Sequence, residues 1–448
     1  MKYVAPILDG LEAVRQIPTV EALAGALRPE WIRDAIAECG RSSQRERLLP
    51  AALTAWIVIL LGLFRRHSYA NLLALLGEAP WKSAPWPADA PPSTRALVKA
   101  RDRLGAEPLE ILFRRSAAEW SAEIPSLLVG GFRVHALDGV TLLVPDSQEN
   151  RAHFGAPAST RGRTGYPQMR AVALVDVRTR LVRAVRQGPF REGEMTLAKR
   201  LLPDIPRDAF VILDRLYWGY EFLHGLRAGR GAHFMIRLKK NVVAHRIGAL
   251  GRRDFLVEVP VPRNLLRARP ELPAVWILRE ISYRPRGSKE VVRVLTSCLD
   301  PLILSAAEAA ALYHERWEAE THFDEVKTHQ CGCAVVSRPT ALRSLTPERI
   351  RQEFFGLMLA YDATRVLMAR AGAIREVEPR RLSFTGALER IREAVRDMMW
   401  LATPRLVERF ARLLCAVARA TVPLRPGRKH PRAVKVKMSK YTVKRRAA

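Results

Sequence analysis

FRVHALDGVTLLV, residues 132–144, is the first run in this chain with the two-residue period of a β-strand. Two more runs rich in β-branched residues follow, MRAVALVDV (169–177) and LVRAVRQ (181–187). A helical segment from Glu194 to Leu202 and a short apolar run, FVIL (210–213), come next. Three sequential strands, a helix and a fourth strand predict a mixed α/β sheet with an open end available for a site. Asp138 closes the apolar part of the first run, and Asp214 directly follows the fourth. An acidic residue in such a place can stand at a sheet edge while the strand stays buried. Asp-Gly between apolar runs is also a common hairpin signal, so Asp138 alone reads as a turn or as a metal ligand. A second acidic strand terminus in the same sheet shifts the balance towards ligands. Arg215, beside it, can neutralise Asp214 or a bound phosphate.

Upstream, the pattern is helical to about residue 125, broken by the Pro-rich APWKSAPWPADAPP (79–92). Leu48 to Phe64 is apolar throughout, but it is short for a membrane span and has Pro50 near its start. It predicts a buried helix, with Arg65, Arg66 and His67 where a helix C-terminus favours cations. After the break, Ser93 and Thr94 can cap a helix carrying Arg95, Lys99, Arg101 and Arg103. That helix resembles the second of a helix-turn-helix pair, or else presents a solvated basic face.

The 448 residues allow two or more domains, and 48% hydrophobic residues allow each a core. With 74 Lys and Arg against 45 Asp and Glu, the formal charge is +29, a field that draws a polyanion and releases its counterions on contact. Nucleic acid is the expected partner. Five cysteines, at 39, 298, 331, 333 and 415, are too few and too irregular for a disulfide framework and fit a reducing compartment. No signal peptide and no membrane partner are expected.

Downstream of the first sheet, HFMIRLKK (233–240), FLVEVPV (255–261), VWILREISYR (275–284) and EVVRVLTSCL (290–299) predict a strand-rich insertion before helices return. Residues 421–448 hold ten Lys and Arg and no acidic residue. The segment YHERWEAETHFDEVK (313–327) carries the densest chemistry. On one continuous helix, Tyr313, Arg316, Glu320 and Lys327 share an arc of about 60°. A hydroxyl, two cations and a carboxylate suit phosphates plus a metal ion. An ordinary solvated helix with i,i+4 ion pairs has the same composition. Asp324 lies one turn beyond Glu320, and motif spacing favours Glu320. His322, His329, Cys331 and Cys333 lack the second ligand cluster a zinc site needs.

Tyr, two residues, Arg, three residues, Glu, six residues, Lys resembles the signature of the Insertion-Sequence-4 family of DDE transposases at every spaced position. LDGVTL and ILDRLYW resemble that family's first and second aspartate motifs. RSSQRERLLPAALTAWIVILLGLFRRHSYANLL (41–73) resembles its N-terminal domain, and HPRAVKVKMSKY its basic C-terminus. The resemblance implies an α/β, RNase H-like catalytic domain with a β-strand-rich insertion, a helical N-terminal domain and a helical C-terminal region with a basic tail. The expected divisions are a helical DNA-binding part at 1–130, catalytic parts at 131–229 and 301–370, the insertion at 230–300 and the helical end at 371–448.

By the same resemblance, Asp138, Asp214 and Glu320 are catalytic and hold metal, while Tyr313, Arg316 and Lys327 contact DNA near the reacting end. Arg215 is a further expected DNA contact. Two Mg²⁺ ions about 3.5–4 Å apart, with Mn²⁺ as a substitute, stabilise the entering and leaving oxygens of a phosphodiester, and carboxylates are the ligands for such hard ions. The implied function is cleavage of insertion-sequence ends and their transfer to target DNA. The implied partners are double-stranded DNA and a second copy in a synaptic homodimer, in a bacterial cytoplasm at the nucleoid. An inactive relative that binds DNA without cutting it, a different RNase H-like nuclease and a basic scaffold are the competing readings. Three carboxylates with four signature residues disfavour the first, the long insertion disfavours the second, and the third predicts no metal-dependent product.

Overall fold

The computed structural model describes residues 23, 25–45, 47–78, 86, 89–157, 165–285, 290–332, 342–398 and 403–423. The basic tail beyond 423, Cys333 and most of the Pro-rich break lie outside them.

The helical N-terminal part comprises α1 (Pro29–Glu38), α2 (Ala51–Leu63), α3 (Tyr69–Gly77), α4 (Thr94–Leu104) and α5 (Glu107–Glu123). The sheet region begins with β1 (Leu128–Val129), β2 (Phe132–Leu143), α6 (Gln148–Phe154), β3 (Gln168–Asp176) and β4 (Val182–Pro189). It continues through α7 (Glu194–Leu201), β5 (Ala209–Leu213), α8 (Tyr220–His224) and β6 (His233–Arg237). Next come β7 (His245–Gly251), β8 (Asp254–Pro260), α9 (Arg263–Ala268), β9 (Val275–Tyr283) and β10 (Val292–Thr296). The chain closes with α10 (Ala306–His314), α11 (Trp317–Asp324), α12 (Pro347–Arg375), α13 (Phe384–Met398) and α14 (Thr403–Arg419).

One sheet joins all ten strands, in the order β4-β3-β2-β5-β6-β10-β9-β8-β7, with β1 beside β2. β2, β3 and β4 are antiparallel neighbours, whereas β5 pairs parallel to β2 and β6 parallel to β5. This is the RNase H-like arrangement. HFMIR forms β6, and β10 pairs antiparallel to it, so the later strands extend the same sheet without interruption.

β2 shows why the Asp-Gly pair is no hairpin. Asp138 pairs with Ala173 and Gly139 with Val172, in mid-ladder. The alternation runs straight through them, with Val134, Ala136, Val140 and Leu142 entering one core and Leu137 the other. A turn at 138–139 would forfeit both buried faces.

The first of these cores lies between the sheet and a helical layer built on α12, whose middle is buried on all sides. α2 is the buried apolar helix expected from Leu48–Phe64, and no described helix is long and apolar enough to cross a membrane. α2 crosses α12 at two glycines: a Cβ on Gly62 would stand 2.7 Å from the Gly356 carbonyl oxygen, and one on Gly356 2.8 Å from that of Val58. Arg65 does not stay in solvent at the end of α2. It is buried and pairs with Glu353 of α12 at 2.5 Å.

Ser93 caps α4 as expected, accepting the Ala96 N–H. Among the described residues the helix before α4 is α3, and most of residues 78–93 between them lie outside the described ones. Arg101 is buried besides, donating to Gln352 Oε1 (2.7 Å), Tyr69 Oη (2.7 Å) and Ser344 Oγ (3.0 Å).

The signature segment is not one helix either. Between α10 and α11 the backbone tightens to i→i+3 bonds, with the Glu315 N–H donating to Leu312 and the Ala319 N–H to Arg316. A π-helical turn, Glu325–Gln330, follows α11. Both departures change the facing of Tyr313 and Lys327 relative to Glu320.

Candidate active site

Parallel pairing places Leu137 opposite Leu213, so the next residues, Asp138 and Asp214, stand side by side on strands about 4.8 Å apart. Asp214 ends β5 by capping a 3-10 turn, where its Oδ1 accepts the Arg215 N–H at 2.7 Å. The Arg215 side chain is exposed and makes no ion pair among the described residues.

α11 packs over β2 and β3, bringing Glu320 to the same end of the sheet. Arg316 Nη1 holds Glu320 Oε1 at 2.7 Å. Burial pushes the Asp138 carboxyl up to about 7; the Gly139 N–H and Arg316 oppose this, and Glu320 and Glu194 add like charge that reinforces it. Asp138, Glu320 and Arg316 are thus electrostatic neighbours, and Asp214 helps to raise the Arg316 pKa. Asp138, Asp214 and Glu320 thus lie toward the same end of the sheet.

Tyr313 and Arg316 are 8% and 7% exposed. Tyr313 donates from its hydroxyl to the Leu213 carbonyl oxygen at 3.3 Å, tying α10 to the residue before Asp214. These two side chains brace the carboxylates, while Lys327, in the π-helical turn, is half-buried and Arg215 is exposed.

Behind Glu320, the other face of α11 is clamped. Arg180, in the β3–β4 turn with a φ of 60°, reaches Glu318 at 2.5 Å and Glu325 at 2.6 Å. Glu325 also pairs with Arg365 of α12 and accepts the Tyr361 hydroxyl at 2.8 Å. His322 is fully buried, edge-on to the Tyr361 ring at 4.6 Å.

Sequence reasoning missed Glu194, the first residue of α7. Its carboxylate lies over Gly139, with Cδ only 2.6 Å from where a Cβ on that glycine would stand. The one available signal was a glycine inside a strand, which marks a close approach by another group.

The donor set fits a hard divalent cation. It is all oxygen, and Asp138 sits among like charges that a cation would relieve. Asp138, Asp214 and Glu320 are the residues that could hold it. Among the described residues, no three His, Cys, Asp or Glu side chains enclose an ion as they stand, and Glu320 is turned to Arg316.

The chain is similar to several known proteins. Residues 18–114 match the family described as Insertion element 4 transposase N-terminal, and residues 130–362 match the family described as Transposase DDE domain. The chain is 29% identical over 427 residues to the transposase InsG for insertion sequence element IS4 of Escherichia coli K12, covering 94% of this chain and 93% of that protein. It is 29% identical over 281 residues to the putative transposase InsZ of the same organism, covering 61% of this chain and 87% of that protein. Among solved structures, a piggyBac transposase synaptic complex with hairpin DNA shares 11% identity over 90% of this chain and 86% of that one, with a TM-score of 0.44. The second of the two family matches, 130–362, spans more than half of the chain and includes all three carboxylates, and this chain belongs to the insertion-element-4 group of DDE transposases.

Proposed function

We propose that this transposase cleaves the two ends of an insertion sequence and joins them to target DNA, with Asp138, Asp214 and Glu320 holding two Mg²⁺ ions. The observation that carries the reading is the placement of Asp138 beside Asp214 on parallel strands with Glu320 packed above them. Bound divalent ions supply Lewis acidity for in-line attack by water or a 3′-hydroxyl on a phosphodiester. The protein's own part is to hold its ligands. The hydroxyl of Tyr313 fixes the backbone that presents Asp214, the clamp on Glu318 and Glu325 fixes the helix that presents Glu320, and Arg316 balances the Glu320 charge until phosphate arrives. Lys327 and Arg215 offer cations to the DNA backbone at the rim. The chain acts at the bacterial nucleoid, and two copies pair the two ends in a synaptic dimer.

Incubation of the protein with duplexes carrying the element's terminal inverted repeats and Mg²⁺ is expected to yield nicks at the end. Asp138→Ala, Asp214→Ala and Glu320→Ala are each expected to abolish nicking while gel-shift binding persists. Cleavage by any of these variants refutes the assignment.

A further inference from the structure

Two divalent ions carry four positive charges, and Asp138, Asp214 and Glu320 supply three negative ones. Glu194 supplies the fourth. Its Cδ and Oε2 lie 2.6 and 2.7 Å from the point a Cβ on Gly139 would occupy, so the carboxylate rests against β2 at the residue next to Asp138. The buried Tyr217 hydroxyl, in the turn after Asp214, donates to Glu194 Oε2 at 3.4 Å, and the same phenol feels the charges of Asp138 and Asp214. Glu194 makes no ion pair among the described residues, although Glu192, two residues earlier, pairs with Arg200 at 2.7 Å. A carboxylate that is half-buried, unpaired and set against the backbone of the site is poorly explained as a solvated surface group. Its place at the start of α7 favours the helix electrostatically, but that role needs no glycine beneath it.

We infer that Glu194 is a fourth carboxylate ligand of the divalent-metal site, reaching it from α7. This rests on the reading of Asp138, Asp214 and Glu320 as metal ligands.

Mn²⁺ binding to the full-length protein without DNA, followed by electron paramagnetic resonance of the free ion, tests the inference independently of cleavage. Glu194→Gln keeps the side-chain shape and the start of α7, and is expected to weaken Mn²⁺ binding by about tenfold or more. Gly139→Ala keeps every carboxylate and pushes Glu194 away from β2, and is expected to weaken binding in the same direction. Asp138→Ala, as reference, is expected to remove the tightest Mn²⁺ altogether. If Glu194→Gln and Gly139→Ala bind as the parent does while Asp138→Ala does not, Glu194 is no ligand and the three-carboxylate reading stands. If Asp138→Ala also binds as the parent, or the parent takes up no Mn²⁺, the metal site itself is misplaced and the inference falls with it.

Discussion

At neutral pH the Asp138 carboxyl is poised at the midpoint of its titration, near 7, because burial removes its water. An unperturbed aspartate titrates near 3.9. The folded value is raised, so the stability this group contributes is complete below about pH 4 and is lost as pH rises through 7. In metal-free buffer, Asp138→Asn is therefore expected to melt with the parent at pH 4 and well above it at pH 8. Thermal melts in EDTA at the two pH values measure this, and coincident curves at pH 8 would show that the carboxylate is solvated. The fate of single residues was unevenly legible in the sequence. Asp138 and Asp214 could be singled out because each stands at the end of an apolar run, and Glu320 by its spacing from Tyr313, Arg316 and Lys327, while their shared role followed from the family resemblance. Arg101 was misplaced because helical periodicity cannot show that Gln352 and Ser344, far along the chain, wait inside to receive its guanidinium. Glu194 could not be named from sequence, since Gly139 signals a close approach but only the packing of α7 on β3 and β4 brings Glu194 over it.

The helix that carries Glu320 owes its orientation to groups on its hidden side. Arg180 is the keystone, with 12% of its side chain exposed and two carboxylates, Glu318 and Glu325, relying on it. Removing one partner from a buried ion pair leaves charge without compensation, at a cost of about 3–5 kcal/mol. Glu325 keeps Arg365, which places Arg180→Ala towards the lower end, about 3 kcal/mol in urea unfolding. A loss under about 1 kcal/mol would mean that Arg365 holds Glu325 unaided. At this scale the sequence showed which segments are helices and strands but not where a helix changes winding. The i→i+3 bonds before α11 and the π-helical turn after it arise from what each end packs against, and side-chain spacing carries no trace of that.

Across the whole molecule, one face of the ten-stranded sheet and the layer around α12 share the first core, so the N-terminal helices, the catalytic part and the later strands are not separate beads. The contact of Gly62 with Gly356 is where the N-terminal helices meet the long helix that closes the catalytic part. Alanine is favoured over glycine inside a helix by about 1 kcal/mol, but a Cβ on Gly62 would stand 2.7 Å from a backbone oxygen that cannot rotate away. Overpacking of this kind costs about 1–3 kcal/mol, so Gly62→Ala is expected to lower the denaturation midpoint. A midpoint that rises would show that the two helices can part without loss. The mixed α/β class was readable from the order of runs. The union of both ends of the chain around α12 was not, since it depends on contacts between residues hundreds of positions apart.

That same glycine crossing sets a timetable for biosynthesis. α2 leaves the ribosome about 290 residues before the helix it packs against, which at 5–20 residues per second is a wait of roughly 15–60 s. Throughout that interval a thirteen-residue helix made almost wholly of apolar side chains has α1 and α4 beside it but not α12, the partner it packs against most extensively. The last third of the chain therefore governs when the first third can finish folding.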